Sequence, residues 1–209
     1  MNLFELIAVG GWPMIVLGVC SVAGLTIAIE RAAALRRGAV LDAGVVSATE
    51  NYGGAAQAEQ TLAACQRGKG AFARIIEELV RKRSLDHAQA IETMRAVGRT
   101  QVGRLERGLA VLEIVAGISP LIGLLGTVLG MVTVFNAITA EGLGNPQVLS
   151  DGISKALITT VGGLSVAIPA LAAHAMLSRR VEELAIEMQD RATAFLVLLQ
   201  RDRDAGHGI

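Results

Sequence analysis

Hydrophobic positions along this chain fall into two arrangements. Three stretches carry no Asp, Glu, Lys or Arg: Leu6–Ile29, Ile114–Ala140 and Ala156–Ser178, of 24, 27 and 23 residues. A run of about 18 or more apolar residues is long enough to cross a bilayer as a helix. Elsewhere apolar residues recur every three or four positions, the period of an amphipathic helix. The pattern predicts an all-α membrane protein with three transmembrane helices. Its segments are 1–29 (N-terminal segment and first span), 30–113 (a cytoplasmic helical domain), 114–140 (second span), 141–155 (a periplasmic loop), 156–178 (third span) and 179–209 (a cytoplasmic C-terminal helix and tail).

The 30–113 segment reads as helical, with breaks at Gly53-Gly54 and Gly68-Lys69-Gly70. Ser84 is the expected N-cap of a long helix. Its stripe, Ile91, Met94, Val97, Val102, Leu105, Leu109 and Leu112, meets no strong breaker before Pro120, so the helix is expected to run straight into the second span. Beyond the third span, Val181, Leu184, Met188, Phe195 and Leu198 continue an apolar stripe among charged residues, a face suited to packing on other helices, often from sister subunits. Spans two and three thus extend as long cytoplasmic helices. The tail from Asp202 to Ile209 is expected to be disordered.

Composition narrows the class further. The chain is 52% hydrophobic and only 18% charged, against about 25% charged in soluble domains, which excludes an ordinary soluble globule. Nineteen basic and nineteen acidic residues cancel, which leaves no basic excess for nucleic acid. Cys20 and Cys65 form neither a disulfide framework nor a zinc site. The N-terminus has no basic n-region, so the first apolar run reads as a retained span. Thirteen Lys and Arg lie in residues 30–113, one in 141–155 and five in 179–209. By the positive-inside rule the N-terminus is outside and the C-terminus cytoplasmic.

The second span, at roughly 40 Å, exceeds a hydrocarbon core of about 30 Å, so it tilts, kinks or protrudes. Pro120 and Pro169 are the kink sites of spans two and three. On a helical wheel Ser119, Gly123, Gly126, Thr127 and Gly130 share an arc of about 100°. Thr160, Gly163, Ala167, Ala170 and His174 share one of about 80°. Small residues let membrane helices approach closely, and Gly126–Gly130 is a GxxxG pair. The first span has only Gly18, Ser21 and Gly24 among bulky aliphatics and reads as a lipid-facing peripheral helix. The plain alternative is that these faces only pack helices, and that Thr127 and Thr160 bond their own i−4 carbonyls. His174 reads as a boundary residue or a cytoplasmic exit for protons. Lys155, opening the third span, would snorkel to the outer interface or pair with Asp151. No carboxylate lies inside any span, so proton movement would need an acid supplied by another chain. The three scattered histidines offer no catalytic constellation, metal site or cofactor site, so no enzyme is expected.

The stretch Ile118-Ser119-Pro120-Leu121-Ile122-Gly123-Leu124-Leu125-Gly126-Thr127-Val128-Leu129-Gly130-Met131 resembles the second-span signature of the ExbB/TolQ/MotA proton-channel proteins. Gly152 to Thr160, with Gly163-Leu164 and Ala167-Ile168-Pro169-Ala170, resembles their third span. Gly10-Gly11-Trp12-Pro13 and Glu30-Arg31 are similar to ExbB. The resemblance implies a homo-oligomer in the bacterial inner membrane, typically a pentamer. It would surround an ExbD/TolR-like single-span partner that brings an aspartate. Thr127 and Thr160 match the family's pore threonines, which flank that aspartate. Proton flow would then drive a TonB- or TolA-like protein in biopolymer transport. One departure stands out: where the family commonly has glutamate, this chain has Lys155, which would form a positive ring at the pore mouth. The alternative function is a non-conducting oligomeric membrane scaffold. A self-contained transporter fits least, because the chain has no inverted repeat.

Overall fold

The computed structural model describes residues 10–141 and 146–206, and the helices among them are α1 (Trp12–Ala34), α2 (Arg37–Val40), α3 (Ala43–Glu50), α4 (Ala58–Arg67), α5 (Ala71–Arg81), α6 (His87–Leu105), α7 (Leu109–Glu141) and α8 (Pro146–Gly206). A single 3₁₀ turn spans Ala55–Gln57. No strand occurs among the described residues. Three helices are long and apolar enough to cross a membrane: α1, α7 and α8. The fold is therefore the expected all-α, three-span architecture.

The chain divides into two compact units, Met1–Glu30 with Gly108–Met176, and Arg31–Arg107 with Leu177–Ile209. The first contains the spans. Leu17 on α1 and Leu112, Val115 and Ser119 on α7 are buried there, while Ile15, Val19, Val22 and Leu25 of α1 face outward. α1 thus keeps one face of bulky aliphatics on the outside of this unit. Gly24 is nevertheless buried, within van der Waals reach of Val115.

The second unit is built on the far half of α8. Val181, Leu184, Met188, Ala192, Phe195 and Leu199 are buried there with Val45 of α3 and Phe72, Ile76 and Leu79 of α5. Phe195 takes the Tyr52 ring edge-on at 5.2 Å between centroids, a favoured aromatic geometry. This stripe is expected to pack on other helices, and here the helices it meets belong to the same chain. Salt bridges add a strap across the same helix. Arg37 pairs with Glu187, Arg191 Nε donates to Glu187 Oε1 at 3.0 Å, and Arg191 reaches Glu50 at 2.7 Å. Cys65 on α4 is buried, and burial pushes its thiol up to about 12, where it is neutral filler.

Several boundaries differ from expectation. The helix before the second span does not run straight through: α6 ends at Leu105, and Gly108 sits at φ +88° before α7 begins. A left-handed glycine is the usual way to stop and redirect a helix. The N-cap of α6 is Asp86, which accepts from Gln89 N at 2.7 Å, rather than Ser84. Residues 146–155, read as loop, are the start of α8, and Asp151 there accepts from Gln147 Nε2 at 3.3 Å. Among the described ion pairs none joins Asp151 to Lys155. Nor is the whole tail irregular. The helix continues to Gly206, with Tyr52 donating to Asp202 and Arg203 to the Leu85 carbonyl at 2.7 Å. Residues 207–209 lie outside the described residues.

A hydroxyl pair at the seam of two membrane helices

The site rises from the spacing of small residues. On α7 the buried positions are Leu109, Leu112, Val115, Ser119, Gly123, Gly126, Gly130 and Val134. On the part of α8 in the first unit they are Gly152, Ala156, Thr159, Gly163, Ala167 and Ala170. Steps of three and four put each set on one face. The two faces meet at backbone distance. A Cβ built on Gly123 would lie 2.9 Å from the Thr159 carbonyl oxygen, and one on Gly163 would lie 2.6 Å from that of Ser119. On Gly130 it would sit 3.0 Å from Ala156 Cβ. A Cβ on Gly126 would find Thr159 Cβ and Oγ1 both 2.5 Å away, and one on Gly152 would lie 2.2 Å from Val134 Cγ2. Van der Waals packing of this kind holds membrane helices together where no hydrophobic drive exists. Within this chain the two small-residue faces meet each other, and the α8 face runs through Thr159 rather than Thr160.

Thr127 and Thr160 stand one position beside this seam, both half-buried. Their hydroxyl oxygens are 2.5 Å apart. Thr127 Oγ1 also lies 3.2 Å from the carbonyl of Gly123 on its own helix and 3.2 Å from that of Ala156 across the seam. Thr160 Oγ1 reaches the Gly123 carbonyl at 3.4 Å. Each threonine thus crosses to the other helix, beyond the simple i−4 back-bond. Each hydroxyl has one proton to give and lone pairs to receive. Two protons serve two carbonyls and the hydroxyl–hydroxyl link, so the donors can exchange among these acceptors by rotation. Such a pair can donate to a carboxylate or accept from a carboxylic acid without itself ionising.

The remaining predicted residues fall around this centre. Pro120 and Pro169 lie inside α7 and α8, and each helix continues through them. His174 is half-buried near the end of the first unit. The Lys155 ammonium lies beside Gly11, the residue just before α1: a Cβ there, at φ +71°, would come 3.2 Å from Nζ. That contact turns Lys155 toward α1. Thr159 was not singled out, yet it is fully buried and fills the gap left by Gly126. Its signal was in the register: 152, 156, 159, 163, 167 and 170 step by four and three, whereas Thr160 falls off that series.

The fold and seam define a multi-pass helical membrane protein whose second and third spans are joined at backbone contact beside two paired hydroxyls. Residues 67–190 match the MotA/TolQ/ExbB proton channel family, and the chain belongs to it. Among its relatives, the biopolymer transport protein exbB1 of Vibrio cholerae is 47% identical over 34% of this chain and 32% of its own length. The Tol-Pal system protein TolQ of Haemophilus influenzae is 37% identical over 52% of this chain and 49% of its own. A putative ExbB homolog of Methanothermobacter thermautotrophicus is 25% identical over 87% of this chain and 65% of its own. The matches cover between about a third and two thirds of these relatives.

Proposed function

We propose that this protein is the channel-forming subunit of an energy-transducing complex in a bacterial inner membrane. Copies of the chain surround the single span of an ExbD/TolR-like partner, whose aspartate exchanges protons beside Thr127 and Thr160. The exchange couples the proton motive force, through a TonB- or TolA-like protein, to work at the outer membrane. The observation that carries this reading is the contact between the two hydroxyls across α7 and α8, within stretches 114–140 and 156–178 that hold no carboxylate. A neutral, amphoteric pair suits an acid that must be stable both charged and neutral. It donates to the carboxylate and accepts from the acid, so neither form is left unsatisfied in a dry setting. One proton crossing 100 mV releases about 2.3 kcal/mol, enough to bias a conformational step about fiftyfold. Lys155, at the outer end of α8, is then a fixed positive charge near the proton's way in.

Co-reconstitution with the partner in proteoliposomes tests the reading. Thr127→Ala and Thr160→Ala are each expected to cut uncoupler-sensitive proton flux at least tenfold, and the serine variants to retain it. Flux unaltered in both alanine variants would sink the assignment. Partner-dependent function that ignores an uncoupler would favour the scaffold.

A further inference from the structure

We infer that the extramembrane unit carries a heterologous docking surface for a second copy of this chain, in which the outward ridge of α8 from one copy lies in a groove between α6 and α8 of the next. The inference rests on the oligomer put forward above and names the surface that would join its copies outside the membrane.

The groove holds about 440 Å³ and is lined along α6 by Met94, Arg95, Gly98, Arg99 and Val102, at the C-cap of α6 by Glu106, and along α8 by Ala185, Met188 and Ala192. Its floor is apolar and low, and a Cβ added at Gly98 or Gly103 would meet no atom within 4 Å. The ridge is the face of α8 turned away from its own core. Ile186 and Val197 are each 57% exposed there, and Glu182, Glu183 and Asp190 are exposed beside them. A bulky apolar ridge flanked by acids and a shallow apolar groove flanked by arginines are complementary in shape and in charge.

Register makes the match specific. His87 contacts Gln200 and Met94 contacts Thr193. Seven steps along α6 are matched by seven steps back along α8, so the helices run antiparallel. Arg95 and Arg99 are therefore level with Ala192 and Met188, and Glu106 is level with Val181. Asp190 lies at the height of the two arginines, and Arg179 within a turn of Glu106. Ile186 lies at the height of Gly98 to Val102. Copies related by an axis normal to one bilayer carry these residues at equal heights. Opposite charges then meet without any sliding. A ridge-in-groove contact is head-to-tail, and around an axis normal to the bilayer it closes into a ring.

The test uses two differently tagged full-length chains co-expressed in membranes, one carrying Gly98→Cys and the other Ile186→Cys, with Cys20→Ser and Cys65→Ala in both. Ile186 faces away from Gly98 in its own chain, so a disulfide between tags reports contact between copies. The expected yield is at least tenfold above either cysteine alone. Asp190→Arg is expected to lower it at least fivefold, and Arg95→Asp together with Asp190→Arg to restore it within twofold. If native mass spectrometry shows an oligomer but no mixed-tag disulfide forms, this surface is wrong and the oligomer stands. A monomer overturns both. Crosslinking of Gly98→Cys to a co-expressed single-span partner, in place of the second copy, overturns the surface as well.

Discussion

At the scale of single residues, identical amino acids do opposite work according to what faces them. Gly126 is a glycine because Thr159 occupies the place of its missing side chain, with Cβ 2.5 Å from where one would start. Gly117, nine positions earlier on the same helix, meets no atom within 4 Å. Alanine at Gly126 is expected to destabilise the protein by about 1–3 kcal/mol, the usual cost of overpacking. Alanine at Gly117 is expected to be neutral or slightly stabilising. Thermal unfolding in detergent micelles separates the two. Thr159→Gly, combined with Gly126→Ala, should recover part of the loss, because it removes the obstructing carbon; strictly additive effects would mean the two positions do not touch. The pairing of Thr127 with Thr160 was half legible at this scale. Both lie in small-residue faces that a wheel displays. That Thr159 packs and Thr160 faces Thr127 depends on about 100° of rotation, which composition alone does not fix.

At the scale of elements, the spans were the most legible part, because absence of charge over more than twenty residues has one economical reading in a bilayer. Helix ends were less so. Ser84 and Asp86 are both good caps, and the structure uses the one whose carboxylate reaches Gln89 N. Gly108 looked like a tolerated glycine in a helical stripe, but its φ of +88° ends α6. Nor did the sequence display the strap on α8, since Arg37 and Glu187 are 150 positions apart. The strap has a measurable consequence. Hydrogen bonding from Arg37, supported by Arg191, holds the Glu187 carboxyl down at about 2 against an ordinary value of 4.5, despite some desolvation. A carboxylate with a depressed folded pKa stabilises the fold above its unfolded pKa and ceases to do so as pH falls through the folded one. The contribution is thus whole above about pH 5 and fades between about 4.5 and 2. Glu187→Gln should be less stable than the parent at pH 7, by about 1 kcal/mol or less given how open the pair is. The gap should close toward pH 2. A melting-temperature difference between the two proteins that stays constant from pH 7 to pH 2 would show that the strap contributes nothing.

At the scale of the whole molecule, the distribution of positive charge and the division into units coincide. Lys155 is the only lysine or arginine outside the second unit, which holds the other eighteen. Translocating basic residues flanking a span is disfavoured, so the second unit is expected on the cytoplasmic side, and the end of α7 and the start of α8 on the periplasmic side. This orientation is also the one the proposed function needs, with Lys155 facing incoming protons and the groove of the second unit inside the cell. Single cysteines at exposed positions decide it, in a chain with Cys20→Ser and Cys65→Ala. Ser150→Cys lies in the first turns of α8, and Ser84→Cys lies just before α6. In spheroplasts a membrane-impermeant maleimide is expected to label Ser150→Cys at least tenfold more than Ser84→Cys, and inverted vesicles should reverse the ratio. The opposite pattern would invert the protein in its membrane and put Lys155 at the proton outlet. Labelling of both sites from one side would mean that α8 does not cross between Ser150 and the second unit. The seam of α7 and α8 could not then lie within the bilayer, and the hydroxyl pair could not stand on a proton path.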